Sequence, residues 1–228
     1  MSLPSNVHVS SHPCLQAKLS LIRSSSTTPR ARDKRLGVEA FSGLKVVKTG
    51  TDTTPLGIEY ETQGIDPADL ALVPILRSGL GMVDALNDLL PTPVPVYHLG
   101  LFREKVSLQP VEYYNNLPFH RSELSPASPA SLNPTTNTAA ASLAVLLDPV
   151  IATGATAEAA IQLLRDWGVK KVIMLSLLAS EEGVKRAAGT WSEVEVWVGG
   201  IDKGVDEKGM IVPGIGDIGD RLFVAIGK

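Results

Sequence analysis

The chain has 228 residues, with 21 Lys and Arg against 24 Asp and Glu for a formal net charge of −3, and 44% of it is hydrophobic. This is an ordinary composition for a soluble globular chain, and the length suits one domain, residues 1–228, with a sizeable core. The near-neutral balance, with no basic run, argues against a nucleic-acid or anionic-membrane surface, which would need clustered cations to neutralise phosphates.

The opening Met1-Ser2-Leu3-Pro4 lacks the charged and apolar regions of a secretory signal, so a cytoplasmic location is expected. Cys14 is the one cysteine, which excludes an internal disulfide; it reads as a buried or incidental thiol. His8, His12, His98 and His120 show no ligand spacing beyond an i,i+4 pair near a terminus expected to be extended, so a histidine-held catalytic metal is not expected.

Residues 1–65 are mixed in pattern, with Ser24 to Pro29 as a loop signal. From Leu70 the pattern sharpens. Leu70 to Leu76 is a continuous apolar run, which suits a strand covered on both faces. Met82, Val83, Leu86, Leu89 and Leu90 then recur at helical spacing, with Pro91 as the stop. Val94–Leu99 reads as the next strand, and Leu101 to Lys105 with Pro110 to Asn115 as a polar two-stranded excursion. Strands over Leu143–Leu147 and Val172–Leu178 flank a helix from about Thr156 to Trp167, closed by Gly168. A helix over Glu181–Ala188 and an alternating strand over Val194–Val198 follow. The longest apolar stretch, Val172 to Ala179, falls short of the roughly 18 residues that span a bilayer, so no membrane helix is expected. Alternating strands and helices predict an α/β fold built on a parallel sheet.

Two segments break the rhythm. In residues 122–142, 18 of 21 are Ser, Pro, Ala, Thr or Asn, too little apolar content for a packed element, and the segment reads as a disordered surface insertion. Residues 199–221 contain seven glycines beside Asp202, Asp206, Asp217 and Asp220. Their apolar neighbours Met210, Ile211, Val212 and Ile215 favour a loop whose main chain approaches a ligand over a solvated linker.

The chemistry concentrates in strand-to-helix turns. Asp148-Pro149-Val150-Ile151-Ala152-Thr153-Gly154-Ala155-Thr156 leads from a strand into a helix, where free backbone N–H groups, hydroxyls and the positive dipole end can receive a phosphate. Asp148 can accept hydrogen bonds from ribose hydroxyls. The turn is neither a Walker A loop nor G-x-G-x-x-G, and alone it reads equally as a helix cap. A second turn, Arg77-Ser78-Gly79-Leu80-Gly81, places a cation and two glycines on the same sheet edge, and Arg103 sits in the excursion.

Together these segments closely resemble the uracil phosphoribosyltransferase family. The resemblance runs through Ile75 to Asp84, Pro110 to Pro118, Asp148 to Ala157 and Gly209 to Phe223, with His12-Pro13 and Ala17-Lys18-Leu19 similar to the family's opening segment. It implies a parallel-sheet phosphoribosyltransferase fold with a Gly-rich hood loop and a β-hairpin flap. It also implies transfer of the phosphoribosyl group from 5-phosphoribosyl 1-diphosphate (PRPP) to uracil, giving UMP and diphosphate in pyrimidine salvage.

By resemblance, PRPP falls to Arg77, Arg103, Asp217 and the run Asp148, Pro149, Val150, Ile151, Ala152, Thr153, Gly154, Ala155 and Thr156. Uracil falls to Ile211, Gly216, Asp217 and Ile218, and Asp217 and Arg103 are the catalytic pair. Mg2+ is expected on PRPP with no direct protein metal site, GTP as a possible effector, and a homo-oligomer, dimer or tetramer. The chain departs from the family at Ala155, where a second Gly is common, at Ser78, where Ala is common, in the insertion at 122–142, a kind associated with fungal members, and in Arg30 to Gly50, which is shorter. Two alternatives stay open: a non-catalytic nucleotide-binding or regulatory relative, and a phosphoribosyltransferase for another base. The intact set Arg77, Arg103, Asp148 and Asp217 favours the enzyme.

Overall fold

A computed structural model describes residues 2–26, 34–104, 109–118 and 140–225. Strand β1 (Val7–Val9) leads to helices α1 (Pro13–Arg23) and α2 (Arg35–Phe41), then strands β2 (Lys45–Thr53), β3 (Glu59–Asp66) and β4 (Leu70–Leu76). Helix α3 (Leu80–Asn87) precedes β5 (Leu99–Arg103), β6 (Pro110–Asn115), β7 (Leu143–Leu147) and β8 (Val150–Ile151). Helix α4 (Ala155–Trp167), β9 (Lys171–Ser176), β10 (Leu178–Ser180), α5 (Glu181–Gly189) and β11 (Val194–Val198) follow. The chain closes with β12 (Ile201–Asp202), β13 (Gly204–Val205), β14 (Ile211–Val212) and α6 (Ile218–Phe223).

The main sheet has the order β1-β11-β9-β7-β4-β5-β6. All its pairings are parallel except β5 with β6, which is antiparallel. The apolar runs explain why the middle of this sheet is covered on both sides. Along β7, Leu143, Val145 and Leu147 face α1, α2 and α3, whereas Ala144 and Leu146 face α4 and α5. Strand β9 repeats the division, with Ile173 and Leu175 on the first side and Val172 and Met174 on the second. Each fully enclosed aliphatic side chain of this kind contributes roughly 1.5–3 kcal/mol relative to exposure.

Helix α4 buries Ala157, Ala160, Ile161 and Leu164, the stripe expected from their spacing, and Gly168 ends it at φ 99°, its N–H returning to the carbonyls of Leu164 and Arg165. Helix α5 starts on Ser180, whose hydroxyl accepts the Gly183 N–H, with Glu181 and Glu182 complementing the dipole in the first turn.

Three sequence expectations need correction. The strand placed at Val94–Leu99 begins only at Leu99; the residues before it make a single bridge, Val96 to Leu72, because β4 pairs with this segment only as it reaches its own C-terminal end. Residues 1–65 are more structured than their mixed pattern suggested: β1 adds an edge to the main sheet and α1 buries Leu15, Leu19 and Ile22. His8 accordingly stacks on Trp197 at 4.2 Å, His12 caps α1, and Cys14 is exposed rather than buried. Helix α2 places Leu36 and Ala40 in the core.

Of the 122–142 segment, 122–139 lies outside the described residues. Ser142, at its end, is tied by its N–H and hydroxyl to Asp69 and so belongs to the entry of β7. No helix among the described residues is long and apolar enough to cross a membrane.

Helix α5 is seated directly on the turn that precedes α4. A Cβ on Gly183 would lie 2.2 Å from the Ala152 carbonyl oxygen, and one on Gly154 would lie 2.6 Å from the Gly183 carbonyl oxygen. Gly189, in the same helix as Gly183, has open space around it. Gly183→Ala should therefore destabilise the chain by roughly 1–3 kcal/mol, the scale of core overpacking, while Gly189→Ala should be neutral or gain up to about 1 kcal/mol. Urea unfolding of the two variants beside the parent checks this; equal midpoints would contradict the close packing.

Candidate active site

The order of the strands decides where a cavity can form. From β4 the chain crosses through α3 to β5 on one side, and from β7 it crosses through α4 to β9 on the other, with the two helices on opposite faces of the sheet. The loops leaving the C-terminal ends of β4 and β7 therefore diverge and leave a crevice between them, the place where open α/β sheets receive ligands. A cavity of about 370 Å3 lies there.

Four segments line it. From β4 come Ile75, Leu76, Arg77 and Ser78. The turn after β7 contributes Asp148, Val150, Ile151, Ala152, Thr153, Gly154, Thr156 and Ala157. The Gly-rich segment contributes Gly209, Met210 and Gly216 to Gly219. Leu101, Phe102 and Tyr113 of the β5–β6 hairpin complete the wall, with the Phe102 and Tyr113 rings 6.0 Å apart.

The turn before α4 has the features of an anion site. Gly154 sits at φ 78° as N-cap, and no side chain caps the helix, so its first N–H groups are left toward the cavity. Glycine at 154 is also dictated by α5, as the contact with Gly183 shows, so its presence alone does not report on a ligand.

Asp148 stands at the end of β7, its N–H bonded to the Leu175 carbonyl. Its carboxylate faces the cavity on one edge and is otherwise enclosed. Burial raises its pKa from 3.8 to about 7, against the opposing effect of hydrogen bonds from the Val150 N–H and the Ser78 hydroxyl, the latter at 3.4 Å.

The opposite wall is positively charged at one point. The Leu76–Arg77 peptide is cis, and the Arg77 guanidinium donates to Asp220 of α6 at 2.7 Å with about half its side chain exposed. An ion pair this exposed is weak, and an incoming anion can compete for the same guanidinium. Close packing fixes the turn itself: a Cβ on Gly79 would lie 2.4 Å from the Leu147 carbonyl oxygen, so β4 and β7 touch where their loops part.

In the Gly-rich segment, Gly214 at φ 61° and Gly216 at φ 69° turn the main chain toward the cavity. Asp217 caps α6 by accepting the Asp220 N–H at 3.0 Å. Behind the loop, Asp202 is buried and accepts both terminal nitrogens of Arg23 at 2.8 Å. Burial alone would raise the Asp202 pKa, but Arg23 and the Gly214 N–H outweigh it and hold the carboxyl below its ordinary value.

The residues expected from sequence thus converge in large part. Arg77, Asp148, Val150 to Gly154, Thr156, Gly216, Asp217 and Ile218 line one cavity. Pro149 and Ala155 stand behind the turn, and Ile211 is buried beneath the loop, one residue from the lining Met210. The backbone of Arg103 ends β5; its side chain lies outside the described residues. Sequence reasoning missed Phe102, Tyr113 and Met210 as lining residues, the Arg77–Asp220 pair, and the Arg23–Asp202 pair, whose members are 179 residues apart.

Comparison with known proteins identifies the family. The family model described as uracil phosphoribosyltransferase matches residues 9–225. The Schizosaccharomyces pombe protein urg2 is 39% identical over 97% of this chain and 91% of its own length. The uracil phosphoribosyltransferase of Roseiflexus castenholzii is 38% identical over 95% of this chain and 97% of its own length. Among solved structures, the AQ2163 protein of Aquifex aeolicus superposes with a TM-score of 0.78 at 28% identity, covering 95% of this chain and 97% of that one. The chain belongs to the uracil phosphoribosyltransferase family.

Proposed function

We propose that the chain joins uracil to the phosphoribosyl group of PRPP, releasing diphosphate and giving UMP, with the cavity between the ends of β4 and β7 as its active site. The observation that carries this reading is the meeting, at one crevice, of an uncapped helix N-terminus, a carboxylate, a guanidinium and a glycine-turned backbone loop. Those are the groups needed for a phosphate, a ribose diol, a diphosphate and a planar base.

The N–H groups from Thr153 to Thr156 receive the 5′-phosphate, with the two threonine hydroxyls as further donors. Asp148 accepts from the ribose hydroxyls. In the reaction the bond from C1′ to the diphosphate oxygen breaks and a bond from C1′ to uracil N1 forms, with the N1 proton passing to water. Positive charge develops on the ribose and negative charge on the leaving diphosphate, so Arg77 and Arg103 act where charge grows. Asp217, on the base side, faces the ribose. Backbone groups of Ile211 and of Gly216 to Ile218 read the edge of uracil. Cytosine reverses the donor and acceptor at one end of that edge, and the mismatch leaves buried groups unpaired.

Beside Arg77, the polar side chains lining the cavity, Asp148, Asp217, Ser78, Thr153 and Thr156, all carry oxygen, which fits a hard cation such as Mg2+ arriving on PRPP oxygens. Carried on PRPP, Mg2+ would neutralise diphosphate charge, and Asp217 would be the carboxylate that meets its hydration shell.

The reading extends to a homo-oligomer, dimer or tetramer, in the cytoplasm. It is supported by the β2–β3 hairpin, which exposes Val46, Leu56, Ile58 and Tyr60, apolar surface that a second copy would cover. The reading includes GTP as a candidate effector, because the resemblance is to a family in which some members respond to it.

Two measurements test the reading. Purified chain given uracil, PRPP and Mg2+ should form UMP and diphosphate, with cytosine at least about tenfold poorer; the same preparation should scatter light as at least two chains and respond to GTP. No UMP from uracil would instead favour the non-catalytic or other-base alternatives.

The second concerns Asp148. Its native pKa of about 7 exceeds the ordinary 3.8, so the native state holds more protons than the unfolded chain between those values, and stability falls as pH rises through that window. Asp148→Asn should remove this loss, raising stability at pH 8 by on the order of 1–3 kcal/mol relative to the parent with little change at pH 4, while weakening PRPP binding. Thermal melts at the two pH values and calorimetry with PRPP check both; a variant equally displaced at both pH values would contradict the buried-carboxylate account.

A further inference from the structure

We propose that Arg23 is a positioning residue for the base: acting through Asp202, it fixes the turn at Gly214 and so sets the backbone against which uracil is read. The inference rests on the placement of uracil at residues 211–218 proposed above.

Arg23 does not line the cavity. It occupies the last turn of α1, and both its terminal nitrogens donate to the Asp202 carboxylate at 2.8 Å in a bidentate pair. One of them also donates to the Gly214 carbonyl at 3.0 Å, and the Gly214 N–H donates to Asp202 Oδ2 at 2.9 Å. Both backbone polar groups of one residue are thus held by one ion pair. Asp202 is 8% exposed, so the pair is protected from solvent on its acidic side and its geometry is restrictive.

The held residue is the hinge of the loop. Gly214 has φ 61°, and a Cβ there would lie 2.0 Å from the Ile211 carbonyl oxygen, so the turn folds back on Ile211. The next residue is strapped from the other side. Arg221 donates to the Ile215 carbonyl at 2.6 Å, and also to the carbonyls of Ile22 and Ser24 at 2.8 and 2.6 Å. Gly214 and Ile215 are therefore both anchored on the end of α1, and the cavity-lining stretch begins one residue later, at Gly216.

A base read by main-chain groups depends on where those groups sit, because hydrogen bonds weaken steeply with misalignment. Releasing Gly214 lets Gly216 to Ile218 shift relative to uracil. The turn at Asp148 to Thr156 is held by other contacts, to α5 through Gly183 and Ser180, so the phosphate end of PRPP keeps its site without Arg23 and only its contact at Asp217 shares the shift. A brace of general stability would weaken both substrates alike; a positioning residue of the base loop weakens uracil the more.

The test is steady-state kinetics with uracil and cytosine, together with PRPP calorimetry, on the full chain and on Arg23→Gln, Arg23→Lys and Asp202→Asn. Arg23→Gln and Asp202→Asn should raise the KM for uracil about tenfold or more, the scale of a lost charge-assisted hydrogen bond, with any rise in the PRPP Kd at least about threefold smaller than that, since PRPP loses only its contact at Asp217. The preference for uracil over cytosine should shrink. Arg23→Lys, which keeps the charge and one donor point but loses the fork, should fall between parent and Gln. If Arg23→Gln does not fold, the Lys and Asn variants carry the same comparison. Equal losses for uracil and PRPP, or an unchanged uracil KM in folded variants, would overturn the proposal. A parent chain that binds PRPP yet makes no UMP from uracil would instead overturn the base-site reading on which it rests.

Discussion

Everything in this molecule's candidate chemistry depends on the reversal of strand order at the middle of its sheet. Because β4 and β7 are hydrogen-bonded neighbours whose following helices go to opposite faces, neither crossover covers their C-terminal ends. The two loops there are forced apart, and residues of both line the gap. The same neighbours touch tightly at Gly79, where the Leu147 carbonyl leaves no room for a side chain. A cation from one loop and a carboxylate from the other are thereby held across one cavity by the most buried part of the core, without long flexible arms.

Charge is placed against this rigid base at a cost in stability. Asp148 is kept where burial opposes its ionisation, and the hydrogen bonds from Ser78 and Val150 only partly offset that. Arg77 is paired at the rim with Asp220, an interaction weak enough to yield to a diphosphate. The Gly-rich loop is built differently, from turns that only glycine enters easily, tied from behind to α1 by two arginines. The two loops are therefore supported by separate parts of the fold, the turn before α4 by α5 and the Gly-rich loop by α1.

The legible parts of the sequence were those in which local pattern and tertiary demand agree. The runs at Leu70 to Leu76 and Leu143 to Leu147 are apolar throughout because both faces are covered, and the α4 stripe of Ala157, Ala160, Ile161 and Leu164 is unambiguous at helical period. The phosphate turn was visible because it combines a strand end, small residues and a helix start. Strand β5 was placed too early because Val94 to Leu99 is apolar for packing beside β4 rather than for pairing over its length. The N-terminal elements carried little signal: β1 is three residues long and is a strand only because β11 is beside it. Arg23 could not have been found from sequence, since nothing near it announces Asp202, and Phe102 and Tyr113 become cavity walls only once the hairpin has folded back.

In the proposed function, one crevice at the ends of β4 and β7 holds the nucleotide, with phosphate and base read by different loops. A crystal structure of the chain soaked with UMP tests it most directly. The account predicts the 5′-phosphate on the N–H groups of Thr153 to Thr156, the ribose hydroxyls on Asp148 and the uracil edge on the backbone of Ile211 and Gly216 to Ile218. UMP bound elsewhere, or bound in this crevice with its phosphate on the Gly-rich loop and its base on the Thr153 to Thr156 turn, would contradict it.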